Sequence, residues 1–206
     1  IESVAHPIDY YFDSNATDAD GDTLTYGLSG NCTPMLSIDP ATGEVSGYIS
    51  LPGYWYVQIS ATDSYSTVWQ NFTLTSTNTA PTFTSSGITE WQNGTVYEYD
   101  ANGNDINSDT LAWLMDGNST SFLSIDPLTG EVEGLVPSMG WWYVNISLSD
   151  SWSTVWQNFS LYALNTAPVI TTTPGTTGEP GTEYSYDANA TDLNGDTITW
   201  DATEYP

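Results

Sequence analysis

Apolar and polar residues alternate with a period of two along most of the chain, the spacing of half-buried β-strands and not the 3.6-residue repeat of a helix. Tyr10, Phe12 and Ser14 fall on one face of such a strand, and Leu24, Tyr26 and Leu28 on one face of the next. A longer run places Trp55, Val57, Ile59 and Ala61 together, with Gln58 on the opposite, solvated face. On the strand after it, Phe72 and Leu74 point inward while Trp69 and Asn71 point out. Between strands stand turn residues. In Asp39-Pro-Ala-Thr-Gly43, for example, Pro follows Asp and Gly supplies a positive φ. About seven short strands per unit, each flanked by Asp, Asn, Gly or Pro, predict an all-β fold of antiparallel β-sandwiches.

The pattern then repeats. Leu36-Ser-Ile-Asp-Pro-Ala-Thr-Gly-Glu-Val45 returns as Leu123-Ser-Ile-Asp-Pro-Leu-Thr-Gly-Glu-Val132, and Ser66-Thr-Val-Trp-Gln-Asn-Phe72 returns as Ser153-Thr-Val-Trp-Gln-Asn-Phe159. Asn78-Thr-Ala-Pro81 returns as Asn165-Thr-Ala-Pro168, and every pair is offset by the same 87 positions. The inward sets follow: Tyr97, Tyr99 and Ala101; Trp142, Val144, Ile146 and Leu148; then Tyr184, Tyr186 and Ala188. The expected units are 1–81, 82–168 and an incomplete 169–206. Asn-Thr-Ala-Pro is the linker, since Pro holds the residue before it extended. Against its copies, the first unit lacks most of the strand equivalent to Thr82–Gly87, and the third stops halfway. Either the chain is a slice of a longer array, the favoured reading, or subunits complete one another by strand addition.

Composition narrows the function. Among 206 residues there is no Lys or Arg, one His and 26 acids. No Lys or Arg salt bridge is possible, so solvent ions or bound metal must offset carboxylate repulsion. Phosphate ligands, nucleic acid and anionic membrane surfaces are excluded as partners, because nothing here neutralises a polyanion. No membrane-spanning run or signal peptide is present. Nine Trp, fourteen Tyr and five Phe supply enough aromatic surface to fill cores, so the charge does not imply disorder. Cys32 is alone, which precludes an internal disulfide and leaves a small, partly buried thiol or an intermolecular bridge. Its counterpart is Ser119, which argues against a shared role.

Asp18, Asp20 and Asp22 alternate beside a glycine between two strands, and the pattern returns as Asp105, Asn107, Asp109 and as Asp192, Asn194, Asp196. A loop dense in oxygen donors suits a hard cation, Ca2+ above all. Turn formation alone is the competing account of Asp/Asn/Gly loops.

Taken in order, Tyr10 to Tyr26 with its Asp-rich loop, Leu36 to Gly47, Ala61-Thr-Asp63 and Asn78-Thr-Ala-Pro81 resemble cadherin-like immunoglobulin repeats. The dystroglycan-type and Ig-type repeats of bacterial and archaeal surface proteins are the nearest match in pattern. The resemblance covers both full units and the start of the third. It implies a Greek-key sandwich, calcium at domain junctions, and roles in adhesins, surface layers and filaments. In such a sandwich Asp63 joins Asp18, Asp20 and Asp22 at one end, and Asp150 joins Asp105, Asn107 and Asp109. Asn78 and Asn165 of the linkers would reach the second and third sites. The linker departs from the cadherin pattern, having no acid in Ser76-Thr-Asn-Thr79, so one ion per junction is expected instead of a cluster of three.

Sequons for N-glycosylation occur at Asn15, Asn31, Asn71, Asn93, Asn118, Asn145, Asn158 and Asn189. Three recur at equivalent places (15 with 189, 31 with 118, 71 with 158), which with the charge favours an extracellular, cell-surface setting. Outward Tyr54, Tyr56 and Trp69, with Trp141, Tyr143 and Trp156, either stack on sugars or a neighbouring rod, or pack beneath a loop or an attached glycan. His6 is unrepeated and reads as a surface residue, so no triad can recur across units. Paired acids at turn positions, present in every unit, fit structure better than a glycosidase. The expectation is a non-enzymatic extracellular rod, stiffened by calcium and glycosylated, that builds a filament, sheath or surface layer with copies of itself. The alternative is an adhesin stalk or carbohydrate-binding module with glycans as partners.

Overall fold

The computed structural model describes residues 2–202 and resolves into two compact units. The first is Ile1–Pro81 together with two loops, Asp105–Thr110 and Asp150–Ser153; the second is Thr82–Asn104, Leu111–Ser149 and Thr154–Pro206. Units and sequence repeats therefore divide the chain differently at those loops.

In the first unit the strands are β1 (Glu2–Ala5), β2 (Ile8–Asp13), β3 (Thr25–Ser29), β4 (Leu36–Ile38), β5 (Glu44–Ile49), β6 (Gly53–Thr62) and β7 (Thr67–Thr77). They form two sheets, ordered β1-β7-β6-β3 and β2-β5-β4. All pairings are antiparallel except β1 with β7. Tyr10, Leu36, Val45 and Ile49 from one sheet meet Val57, Ile59 and Leu74 from the other in a single buried cluster. Burying each such aliphatic side chain contributes roughly 1.5–3 kcal/mol, and β-branched residues suit the pleated face. Cys32 is fully buried in this core, its Sγ 3.6 Å from the Ser29 carbonyl. It is therefore a packing residue, inaccessible for an intermolecular bridge.

The second unit repeats this design. Its strands are β8 (Thr82–Phe83), β9 (Glu90–Gln92), β10 (Val96–Asp100), β11 (Gly103–Asn104), β12 (Ala112–Asp116), β13 (Ser124–Ile125), β14 (Glu131–Leu135), β15 (Gly140–Ser149), β16 (Thr154–Leu164), β17 (Val169–Ile170) and β18 (Ala190–Thr191), with a 3-10 turn at Asn118–Ser121. The main sheets run β12-β15-β16-β9 and β10-β14-β13, with short pairs β8–β11 and β17–β18. Again the first long-sheet partner, β9, lies parallel to β16. Tyr97, Tyr99 and Val132 face Trp113, Val144, Ile146, Leu148 and Leu161 across the core.

Two outer faces bear on function. On the longer sheets the register sets Gln58 opposite Asn71 and Asn145 opposite Asn158, amid exposed aromatic residues. On the shorter sheet of the second unit, Glu98 pairs with Glu133 and Asp100 with Glu131 beside an open cleft of about 510 Å³. One expectation needs correction. Tyr184 and Tyr186 are exposed, and each hydroxyl instead bonds nearby, to the Gly175 carbonyl at 2.9 Å and to Thr172 Oγ1 at 2.7 Å. The described residues of that segment form only the β17–β18 pair, which has no facing sheet to bury them.

Candidate metal centre

Two loops of the first unit build the site. In the first, Asp105 Oδ1 accepts from the Asp109 amide at 3.1 Å and the Ser108 amide donates to the Asp105 carbonyl, with Ser108 in the left-handed region at φ 63. In the second, Asp150 Oδ1 accepts from the amides of Trp152 and Ser153, at 2.8 and 2.5 Å. Short acidic side chains fold these turns by bonding their own backbone, which fixes where their second oxygens point.

Those turns bring one carboxylate oxygen each from Asp105, Asp109 and Asp150 within 4.8 Å of one another. Asp105 is 9% exposed and Asp150 2%. Asp105 Oδ2 and Asp109 Oδ2 are buried without a hydrogen-bond partner. A buried carboxylate oxygen that accepts no hydrogen bond is costly, and three carboxylates together repel. Asn78 completes the wall: its Nδ2 donates to Asp150 Oδ2 at 2.7 Å and lies 3.1 Å from Ser153 Oγ, while its Oδ1 is 3.1 Å from His6 Nε2. Burial pushes the Asp150 carboxyl up, but hydrogen bonds from Asn78, Ser153 and Trp152 outweigh it and hold the group below its ordinary value. Oxygens bound to one Ca2+ at about 2.4 Å can be at most about 4.8 Å apart, so this donor set fits a hard divalent cation.

His6 corrects the sequence expectation: it is 2% exposed, not a surface residue. Its Nε2 lies 3.7 Å from Asp109 Oδ2 as well as against Asn78. A lone His offered no periodicity to mark it as buried; the signal was its place 87 positions before Asn93, also buried.

Residues 2–77 match the model of the family described as "Putative Ig domain". This segment is an Ig-like domain. No curated protein matches the chain. Among solved structures, human protocadherin-24 EC1-2 is 18% identical, with 80% of this chain and 94% of that one covered, at a TM-score of 0.36. Drosophila N-cadherin EC1-4 is 12% identical, covering 84% and 50%, at 0.37. An endo-fucoidan hydrolase of glycoside hydrolase family 107 is 18% identical, covering 80% of this chain but 28% of the enzyme, also at 0.37. At such scores the likeness bears on no residue and no activity.

Within the Ig-like domain itself the acids do not converge in the same way. Asp18 Oδ1 accepts from the amides of Asp20 and Asp22, at 2.8 and 3.0 Å, and Asp20 and Asp22 are exposed. Asp63 Oδ1 accepts from the amides of Tyr65 and Ser66, bonds that hold its carboxyl below the ordinary value. Asp18 and Asp63 line one small cleft of about 80 Å³. In the third copy Asp192 Oδ1 accepts from the amides of Asn194 and Asp196, and Asn165 is exposed. Among the described residues, only Asp105, Asp109 and Asp150 form a group of three acids able to share an ion.

Asn107 and Asn194 have a different, repeated task. Asn107 Oδ1 accepts from the Thr79 amide at 2.7 Å and its Nδ2 donates to the His6 carbonyl. Asn194 Oδ1 accepts from the Thr166 amide at 2.6 Å and its Nδ2 donates to the Asn93 carbonyl. Each carboxamide thus clasps the Asn-Thr-Ala-Pro segment to a preceding turn, with donor and acceptor both engaged. A carboxylate can accept but not donate, and Asp20 stands at this position in the Ig-like domain.

The sequons divide by environment. Asn15, Asn31, Asn71, Asn118, Asn158 and Asn189 are exposed, Asn145 is half-buried and Asn93 is only 6% exposed. Asn31 and Asn118 accept from the equivalent amides of Tyr56 and Tyr143, at 2.5 and 2.6 Å. Their recurrence therefore has a structural cause.

Proposed function

We propose that the chain is a non-enzymatic surface or adhesion-type repeat of an extracellular structural protein, in which Asp105, Asp109 and Asp150 hold one Ca2+ with Asn78 buttressing Asp150. The Ig-like domain suggests the surface setting. The observation that carries the metal is the convergence of three carboxylates with two buried oxygens that accept no hydrogen bond, in a chain without Lys or Arg. Calcium bound there supplies the positive charge that the sequence lacks. It ties the 105–110 and 150–153 loops to Asn78, and so stiffens the segment that links successive repeats. Glycans on exposed sequons and assembly with copies of the same chain into a filament, sheath or surface layer complete the reading.

Isothermal titration of the chelator-treated chain with CaCl2 tests it, alongside thermal melts. With calcium at about 100 times Kd, binding to the folded state alone adds about 2.7 kcal/mol. For a unit of this size that raises Tm by about 10–20 °C. Asp105→Asn and Asp150→Asn should abolish the heat and the shift. An equal melt in CaCl2 and in chelator, with no heat of binding, refutes the metal. A second reading, a carbohydrate-binding module, is favoured by the exposed rings of Tyr54, Trp69, Trp141 and Trp156; binding of free oligosaccharides by the unmodified chain would establish it.

A further inference from the structure

Asn71 and Asn158 stand at equivalent points of their repeats, each in a sequon at the centre of an exposed sheet face. On β7 the residues sharing that face are Trp69, Asn71 and Thr73, the last being the sequon hydroxyl; on β6, Gln58 lies opposite Asn71 and Tyr56 opposite Thr73. On β16 the run is Trp156, Asn158, Ser160, with Asn145 and Tyr143 opposite on β15. Opposed Cβ atoms are roughly 5 Å apart and diagonal neighbours roughly 7–8 Å, so a ring on either side reaches the space above each asparagine. Trp69 is 55% exposed and Trp156 56%, with Tyr56 and Tyr143 at 44% and 46%.

The two amides are also unengaged. Neither Asn71 nor Asn158 has a side-chain hydrogen bond among the described residues. Asn31 and Asn118, by contrast, have their carboxamides bonded to backbone, and Asn93 is buried. A flat aromatic surface beside a free amide suits the apolar C–H face of a pyranose, which needs no charged partner.

We propose that Asn71 and Asn158 carry N-linked glycans, and that the proximal sugars lie on Trp69 with Tyr56 and on Trp156 with Tyr143. The proposal rests on the reading of the chain as an extracellular glycoprotein and names which sequons serve it. In the transfer step the Asn Nδ2 attacks the anomeric carbon of a polyprenyl-phosphate-linked oligosaccharide. An N–C1 bond forms, the C1–O bond to phosphate breaks, the phosphate leaves with the bonding pair, and the amide loses one proton. No redox change occurs. The attached sugars cover aromatic area that is otherwise open to water, which accounts for the exposed Trp on these sheet faces.

The test is site occupancy by glycopeptide mass spectrometry on the full chain secreted from a glycosylating host, followed by the rate of glycan release by endoglycosidase from the native protein. Asn71 and Asn158 should be occupied and Asn93 empty. Trp69→Ala and Trp156→Ala, at exposed positions that the fold tolerates, should speed release at Asn71 and Asn158 respectively by roughly five-fold, the scale of one lost aromatic contact. Each substitution should leave the other site unchanged. Occupancy elsewhere with Asn71 and Asn158 empty overturns this proposal while the glycoprotein reading stands. No occupancy at any sequon overturns both. Occupied sites whose release rate ignores the tryptophans overturn the stacking.

Discussion

Removing the carboxamide of Asn107 isolates the clasp from the metal. Asn107 is 4% exposed, and Asn107→Ala deletes two hydrogen bonds at once, leaving the Thr79 amide and the carbonyl of buried His6 without partners. An orphaned buried polar group costs about 1–3 kcal/mol. The Thr79 side is exposed and can recover water, so it falls at the low end, while His6 falls at the high end. The sum is about 4 kcal/mol. At about 4–8 °C per kcal/mol for a unit of this size, Tm falls by about 16–32 °C. Urea unfolding in chelator, followed by tryptophan fluorescence, reads the change as a lower midpoint at unchanged slope. Asn107→Asp is the sharper companion. It still accepts from Thr79, loses the donation to His6, and adds a fourth carboxylate beside Asp105, Asp109 and Asp150. It should be at least as unstable as the alanine variant in chelator, and regain stability in millimolar calcium. An alanine variant within about 0.5 kcal/mol of the parent refutes the clasp.

Burial, reinforced by the nearby Tyr99, pushes the Tyr97 hydroxyl above its ordinary value near 10, and the group donates to the Ile88 carbonyl at 3.0 Å. The folded chain thus keeps a proton that the unfolded chain releases, so its contribution is complete below about pH 10 and is lost as pH rises from there. Tyr97→Phe should flatten the fall of the urea midpoint between pH 9 and 11; parallel profiles would contradict the assignment. Burial likewise raises the Cys32 thiol, so iodoacetamide should leave the native chain unlabelled and modify it only in denaturant. Labelling at the same rate with and without urea would show the thiol to be open.

Much of the fold was legible because alternation is a direct consequence of a two-faced strand. The set Val57, Ile59, Ala61 and its copy Val144, Ile146, Leu148 are buried as the pattern predicts, and Trp69 and Asn71 face out. The repeat offset is more informative than composition, since pairing registers match copy for copy. Less legible was what the polar residues do. Spacing showed that Asp105, Asn107 and Asp109 recur as oxygen donors. It did not show that Asn107 turns its amide to the backbone of Thr79 and His6, because that depends on residues far away in the chain. The signal for it is the Asn-for-Asp exchange between positions 20 and 107, since a carboxylate cannot donate. Burial of Asn93 likewise escaped the sequon pattern, which records a motif and not its surroundings.

The paired acids of β10 and β14 set the medium in which this sheet is comfortable. Glu98 faces Glu133 and Asp100 faces Glu131 at cross-strand distance, roughly 5 Å. At physiological ionic strength the Debye length is about 8 Å, too long to separate such neighbours; near 1 M it is about 3 Å. Concentrated brine therefore relieves this face where dilute buffer leaves it strained, and dissolved cations take the place of the lysines that other sheets set opposite their glutamates.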